Sequence, residues 1–444
     1  MTAARQARLE GASEWVPPAQ MKAEEGPKGR RMKRVAALAT VLVCGLATAC
    51  GVGGDEGGTG ARAINWYVFN EPGGAFDKAV ADCNKEADGR YKINYVKLPT
   101  DANQQRELIV RRLAAEDSTL DLIGMDVIWT AELAEAGWIL PWTGERRRVA
   151  VEDKLEGPLK TVEYNGKIYG IPLNSNTQLL WYRKDRVDAP PDDFTWDEMI
   201  EDASQNSKAI EVQGAQYEGL TVWINSLVAG AGGQIVDQNG NVKVDESATR
   251  AAEIESKLGQ SPAAPPGMST NREDQARIGF EEDRSDYQVN YTFIYPSAAA
   301  VSEDFQKNIG WARYPRTEKD QESKPPLGGI NLGVSKWSKN PDLAFDAAEC
   351  LANDQHQIDA AVLGGLPPTT ESLYENEEVV KAFPFADLLR ESIDAAAPRP
   401  VTPAYSDISL AIQKTFHPPD GIQAEGIEDK LRDRLEKSGE GKIF

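Results

Sequence analysis

From residue 64 to residue 129 the chain alternates short apolar runs with helix-patterned stretches, and the links between them leave room only for a layered α/β unit. Ile64-Asn-Trp-Tyr-Val-Phe69 reads as a strand and Glu71-Pro-Gly-Gly74 as a loop, after which Phe76, Val80, Cys83 and Ala87 recur at helical spacing. Residues 91–96 read as a second strand and residues 104–115 as a helix, with Leu108, Ile109, Arg112 and Leu113 at near-helical intervals. Residues 120–126 form a third apolar run that ends on Asp126; Val127-Ile-Trp129 and a further helix follow. Strand–helix–strand repeats of this kind make a parallel sheet with right-handed crossovers. Ligands of such sheets gather at the carboxyl ends of the strands, which puts Asn70, Glu71 and Asp126 on one rim. A chain of 444 residues exceeds what one core serves, so a second lobe is expected.

Charge narrows the partners. The formal net charge is −21, yet residues 1–49 hold eight Lys/Arg against four Asp/Glu, a net +4, so the rest of the chain carries −25. Such acidity repels phosphate backbones and anionic bilayers, so nucleic acid is not an expected partner and any membrane attachment must be covalent or integral. The attachment is suggested at the front. Lys33 and Arg34 precede an apolar stretch from Val35 to Leu46, too short for the ~20 residues of a permanent span but suited to a signal peptide. Ala47-Thr48-Ala49-Cys50 follows and resembles a bacterial lipobox, which implies cleavage before Cys50, acylation of its thiol and a place on the outer face of the cytoplasmic membrane. Ala47 departs from the Leu usual there, and an ordinary signal peptide with a chance cysteine is the alternative. Residues 1–49 are thus an extension plus signal peptide, and residues 50–62, rich in glycine, a flexible tether.

Further on, Asn165-Gly-Lys-Ile-Tyr-Gly-Ile-Pro172 is followed by Asn176-Thr-Gln-Leu-Leu-Trp-Tyr-Arg-Lys-Asp185, then Thr195-Trp-Asp-Glu198 and Ala344-Phe-Asp-Ala-Ala-Glu-Cys-Leu351. In this order and spacing the strings resemble the extracellular sugar-binding proteins of ABC importers, the maltose-binding-like group, over roughly residues 63–435. The resemblance implies a two-lobed periplasmic-binding-protein-like α/β fold, each lobe a sheet flanked by helices, with a hinge crossed three times. Gly170 and Pro172, the glycines of 328–333, and Gly364-Gly-Leu-Pro-Pro368 interrupt the pattern where such crossings would fall; ordinary turns are the other reading. Counted this way, one lobe comprises residues 63–173 and 332–368, the other 174–331 and 369–444. With Cys44 removed with the signal and Cys50 acylated, Cys83 and Cys350 remain, on helices assigned to the first lobe of an exported protein. A disulfide between them is expected, two separate buried thiols being the alternative.

A cleft that closes on a sugar needs paired hydrogen-bonding groups for vicinal hydroxyls and aromatic faces for the C–H surfaces. The first lobe offers Asp126, with Asn70 and Glu71 beside it, and the lobe crossing offers Asn176, the "Asn-Thr" position of the resemblance. A helix cap is the competing role for Asp126, and a turn the competing role for Asn176. In the second lobe a helix starting at Glu218 carries Trp223 and Asn225, with Trp223 either core or platform. Residues 288–295 read as a strand on which Tyr291 and Tyr295 face one side, and Glu273 begins the helix before it. Gly328 and Gly329 allow close approach of the backbone. Arg399 is fenced by Pro398 and Pro400, and Arg399-Pro-Val-Thr-Pro-Ala-Tyr405 resembles the trehalose-binding lipoproteins of actinobacterial importers.

These features lead to a monomeric binding component that holds a disaccharide, trehalose or a related α-glucoside, and passes it to the transmembrane subunits of an ABC permease. An exported glycoside hydrolase is the alternative, and a structural or adhesion lipoprotein a third class. No catalytic residue or cofactor is expected: the two histidines, His356 and His417, lie in no zinc-binding spacing and near no nucleophile turn.

Overall fold

Strand β1 (Arg62–Phe69) is flanked on both sides by apolar helices, and its side chains alternate between the two. The computed structural model describes residues 61–206, 208–237 and 240–439. The signal segment, Cys50 and all but the last two residues of the tether lie outside them. The other strands among the described residues are β2 (Tyr91–Leu98), β3 (Leu122–Asp126), β4 (Glu163–Tyr164), β5 (Lys167–Ile168), β6 (Ile171–Asn176), β7 (Gln178–Arg183), β8 (Ala209–Glu211), β9 (Ser285–Tyr291), β10 (Ile309–Ala312) and β11 (Gly328–Val334).

The first sheet has the order β2-β1-β3-β11-β6. β1 runs parallel to β2, from Arg62 opposite Tyr91 to Phe69 opposite Leu98, and parallel to β3; β11 is antiparallel to both β3 and β6. Ile64, Trp66 and Val68 pack with Phe76, Ala79 and Cys83 of the helix Ala75–Glu86 on one face. On the other, Tyr67, Ile123 and Met125 meet Ile109 and Leu113 of the helix Ala102–Ala114. Each large side chain buried this way contributes about 1.5–3 kcal/mol, so both helices are held by their apolar stripe. The expected strand–helix alternation of residues 64–129 is what this half of the molecule shows.

The chain leaves the first sheet after Asn176 and enters the second at Gln178, with only Thr177 between. The second sheet has the order β10-β7-β9-β8, with β7 antiparallel to both neighbours and β8 parallel to β9. Its alternation is as regular. Leu180, Tyr182, Tyr287 and Val289 join Trp196, Trp223 and Phe416 on one face, while Leu179 and Trp181 join Phe280, Ile294 and Phe385 on the other. β11 then returns to the first sheet, the helices Pro341–Leu351 and Asp354–Gly364 pack on that sheet, and the helices Tyr405–Thr415 and Ile427–Gly439 complete the second body. The whole is a two-lobed, maltose-binding-protein-like fold.

One expected strand is wrong. β9 stops at Tyr291 and residues 294–301 form a helix, so the run 288–295 is half strand and half helix. Pro296 explains the break: it sits in the first turn of Ile294–Val301, where its missing N–H costs nothing, whereas it could not have continued a central strand. A disulfide joins Cys83 to Cys350 across 267 residues, tying the last turn of the helix Ala75–Glu86 to the last turn of Pro341–Leu351.

Candidate functional site

Asp126 ends β3, with Ile330 of β11 as its strand partner. Its Oδ1 accepts from Arg399 Nη2 at 3.0 Å and from the backbone N–H of Ile128 at 3.3 Å. Arg399 Nη1 donates to Glu218 Oε1 at 2.7 Å, so one guanidinium joins the rim of the first sheet to the first turn of the helix Glu218–Gly230. Tyr405 donates its hydroxyl to the same Glu218 oxygen and Ser409 donates to the other at 2.6 Å. Arg399 is only 6% exposed. Burial pushes the Glu218 carboxyl upward, against the pull of Arg399; burial also opposes the charge on Arg399, but Asp126, Tyr405 and Glu218 outweigh it. A desolvated cation shared by two acids is worth keeping only where its geometry is needed, because apolar residues would stabilise the fold as well.

Around this trio the two sheets bring further groups. Asn176 ends β6 opposite Gly328, and Tyr291 ends β9 near the same point: a Cβ on Gly328 would meet Asn176 at 3.5 Å and the Tyr291 ring at 4.0 Å. Gly329 has φ +137°, and a side chain there would strike the Asn174 carbonyl at 2.3 Å, so β11 and β6 approach this closely only with glycine. Glu273 opens the helix Glu273–Glu281 and lies beside the Tyr217 hydroxyl; burial raises the Glu273 carboxyl and both the Tyr217 and Tyr291 phenols. Asn225 donates from Nδ2 to the Pro398 carbonyl at 3.5 Å, holding the loop that carries Arg399. Two buried polar atoms here have no hydrogen-bond partner among the described residues: Arg399 Nε and Asn176 Oδ1. Buried groups of this kind are costly unless something else satisfies them.

Four of the residues marked in the sequence stand elsewhere or serve otherwise. Glu71 is a local brace: its carboxylate accepts from the backbone N–H of Gly73 at 2.5 Å and of Ala75 at 2.7 Å, which fixes the entry to the helix Ala75–Glu86. Asn70, exposed, neighbours it at the end of β1. Tyr295 lies on the helix rather than on β9, its ring edge-on to Trp311 and Phe385 in an apolar cluster. Trp223 is core, packed against Trp196 at 5.5 Å. Sequence reading passed over Glu218, Tyr405, Ser409, Tyr217 and Tyr314. The available signal was an acid at a helix start and a tyrosine six residues after Arg399, but both are ordinary in any acidic, tyrosine-bearing chain.

The two sides meet closely. Arg272, at the start of the helix Glu273–Glu281, bonds through Nη1 to Asp101 Oδ2 at 2.5 Å, and Asp101 is the N-cap of the helix Ala102–Ala114 on the first lobe. Thr292 donates to the Gly365 carbonyl at 2.7 Å. What opens beside Arg399 is a narrow crevice lined by Val127, Ile128, Thr161, Leu327, Pro398 and Val401. Two groups of metal-ligating side chains exist among the described residues, Cys83/Cys350/His356 and Asp82/His356/Asp359, and neither includes a residue of this crevice. Among those residues no helix is long and apolar enough to cross a membrane.

Residues 68–358 match the family model described as bacterial extracellular solute-binding protein. A probable ABC transporter-binding protein of Deinococcus radiodurans is 29% identical, the match covering 79% of this chain and 87% of that protein. The diacetylchitobiose-binding protein DasA of Streptomyces coelicolor is 23% identical over 78% of this chain and 84% of its own. Among solved structures, maltose-bound MalE3 of T. maritima superposes with a TM-score of 0.78 at 24% identity, covering 85% of this chain and 99% of the other. A solute-binding protein from Thermotoga lettingae with bound α-D-tagatose gives 0.72 at 21%, covering 84% and 100%.

Proposed function

Because the chain belongs to the bacterial extracellular solute-binding protein family, whose members are binding proteins rather than enzymes, we propose that it captures a disaccharide of the α-glucoside type, trehalose foremost, between its lobes and delivers it to an ABC permease. The observation that carries this reading is Arg399, buried between Asp126 of one lobe and Glu218 of the other, with its Nε and the nearby Asn176 Oδ1 unsatisfied. Donors and acceptors paired in this way suit vicinal hydroxyls, and Tyr291 offers a ring face at the same point. The names of the relatives support a sugar, since they include binders of diacetylchitobiose, maltodextrin and maltose.

In this reading the lobes turn about the crossings at Thr177, at the approach to β11 and after Gly364; because Asn174–Asn176 and Gly328–Asn331 are strands of the first sheet, the first two boundaries fall three and four residues from the expected 173/174 and 331/332. The protein acts as a monomer, held to the outer face of the cytoplasmic membrane through lipid on Cys50. Titration calorimetry with trehalose, maltose and glucose tests the sugar; trehalose should bind tightest. Tight maltose binding without trehalose binding would overturn the sugar and keep the transport role. Release of glucose from either disaccharide would favour a hydrolase.

A further inference from the structure

At the opposite end of the helix Ala75–Glu86 from Glu71, the donor atoms of Cys83, Cys350 and His356 converge at the disulfide, with the Glu86 carboxylate at its edge. Cys83 Sγ, 0% exposed at the residue level, lies 3.8 Å from His356 Nδ1. Cys350 Sγ lies 3.5 Å from Glu86 Oε2, one turn along from Cys83. The ligating atoms of Cys83, Cys350 and His356 all fall within 4.8 Å of one another. His356 is itself held from behind, with Nε2 at 3.9 Å from Asp82 Oδ2, and its backbone N–H is bound by the Asn353 side chain at 2.8 Å. The other acidic trio, Asp82/His356/Asp359, is no competitor, because the Lys78 ammonium already occupies it at 2.8 Å from Asp82 and 2.7 Å from Asp359.

We propose that this cluster is a redox-gated metal site: oxidised, it is the Cys83–Cys350 disulfide; reduced, it binds one soft or borderline divalent cation such as zinc through the two thiolates, His356 Nδ1 and the Glu86 carboxylate. Two sulfurs and one imidazole already converge, and the Glu86 carboxylate, beside Cys350, must swing in to complete the tetrahedral set that zinc prefers, with ligand bonds of about 2.0–2.3 Å. In the oxidised form each sulfur spends its bonding on the other and His356 Nδ1–H donates to the Cys350 carbonyl at 2.8 Å, so no thiolate or ring lone pair is offered. Reduction by a phosphine consumes one water and yields the phosphine oxide and two thiols; the cation then displaces a proton from each thiol. His356 moves its proton from Nδ1 to Nε2, which faces the Asp82 carboxylate at 3.9 Å; a carboxylate on that side orients metal-bound imidazoles generally. Cys350, half-exposed, is the side from which reductant and ion arrive, while Cys83 and His356 are buried. The helix Ala75–Glu86 is therefore tied to Pro341–Leu351 in both redox states, by a covalent bond in one and by a metal in the other.

Cobalt(II) titration of the full chain carrying Cys44→Ala and Cys50→Ala tests this, with the phosphine-reduced and oxidised forms side by side. The reduced form should take up one cobalt per chain and show the ultraviolet thiolate-to-cobalt band and the visible bands of tetrahedral coordination, both bleached by one equivalent of zinc. The oxidised form should show neither. His356→Gln, which leaves the disulfide intact, should weaken cobalt binding to the reduced chain by about 10-fold or more. Absence of the thiolate band on reduction, equal uptake by the oxidised form, or undiminished affinity in His356→Gln would each overturn the proposal.

Discussion

Replacing Arg399 with alanine should damage stability as well as binding, and the size of the damage can be worked from its two partners. The Asp126 side chain is 22% exposed and rehydrates when the guanidinium goes; that of Glu218, at 8%, does not. Breaking a buried pair typically costs about 3–5 kcal/mol. Glu218 keeps two donors, Tyr405 and Ser409, and has a way out: it can take up a proton. Protonating a carboxyl of unperturbed pKa near 4.3 at pH 7 costs about 4 kcal/mol, which caps the charge contribution, so a loss of about 2–4 kcal/mol is expected. The sign with pH follows. Burial raises the folded-state carboxyl of Glu218 above its unfolded value, and without Arg399 it rises further. A raised acid favours the folded state at low pH and loses stability as pH climbs past the unfolded value. The defect should therefore be below about 1 kcal/mol near pH 4.5 and reach its full size by pH 7. Urea denaturation of wild type and Arg399→Ala at both values measures it, and adding Glu218→Gln should return at least about 1 kcal/mol at pH 7. A defect that is constant from pH 4.5 to 8, or strictly additive with Glu218→Gln, would show that an unpaired Glu218 charge is not the source of the loss. Trehalose affinity should fall in the same variant by roughly ten- to over a hundred-fold, the worth of a charge-assisted bond of about 1.5–3 kcal/mol.

Glu255 is fully buried on the helix Glu246–Gly259, with neither carboxylate oxygen hydrogen-bonded, and burial holds its carboxyl well above the usual range. Glu255→Met should stabilise the protein at pH 8 by at least about 2 kcal/mol more than at pH 4.5, where the unfolded carboxyl is only about half ionised; an equal effect at the two pH values would count against a buried neutral acid. Removing the disulfide by Cys83→Ser should cost about 2–5 kcal/mol in denaturant under oxidising, metal-free conditions, and reductant should then lower wild type but not the variant. Cys50→Ala should move the protein from the membrane fraction to the soluble fraction; unchanged sedimentation with membranes would dismiss the lipid anchor.

The first lobe was legible because β1 and β3 are buried on both faces and the helices between the strands carry plain apolar stripes. Side-chain duties were less legible, since one residue type serves several ends. Glu71 sits where a strand-end acid could hold a ligand, but two backbone N–H groups four residues or fewer away claim it. Tyr291 and Tyr295 share parity only if the strand runs on, and Pro296 ends that possibility. Glu218 could not be singled out at all: its partners Arg399, Tyr405 and Ser409 lie more than 180 residues away, and only folding reveals that they surround it. The cluster of Cys83, Cys350 and His356, with Glu86 beside it, shows no zinc-like spacing for the same reason, being split across two helices and the start of a third.

The contact between Arg272 and Asp101 touches nothing in the crevice, yet it fastens the mouth with the first residues of two opposing helices. With Arg272 41% exposed and Asp101 12%, such a pair is worth at most about 1 kcal/mol and weakens as salt is added. It therefore bears on how long a captured molecule stays rather than on which molecule is chosen. Stopped-flow release should quicken by a factor of a few in Asp101→Asn or in concentrated salt, with the ranking of sugars untouched. An exported protein would thus surrender its cargo at a pace set partly by the ionic strength of the medium outside the cell.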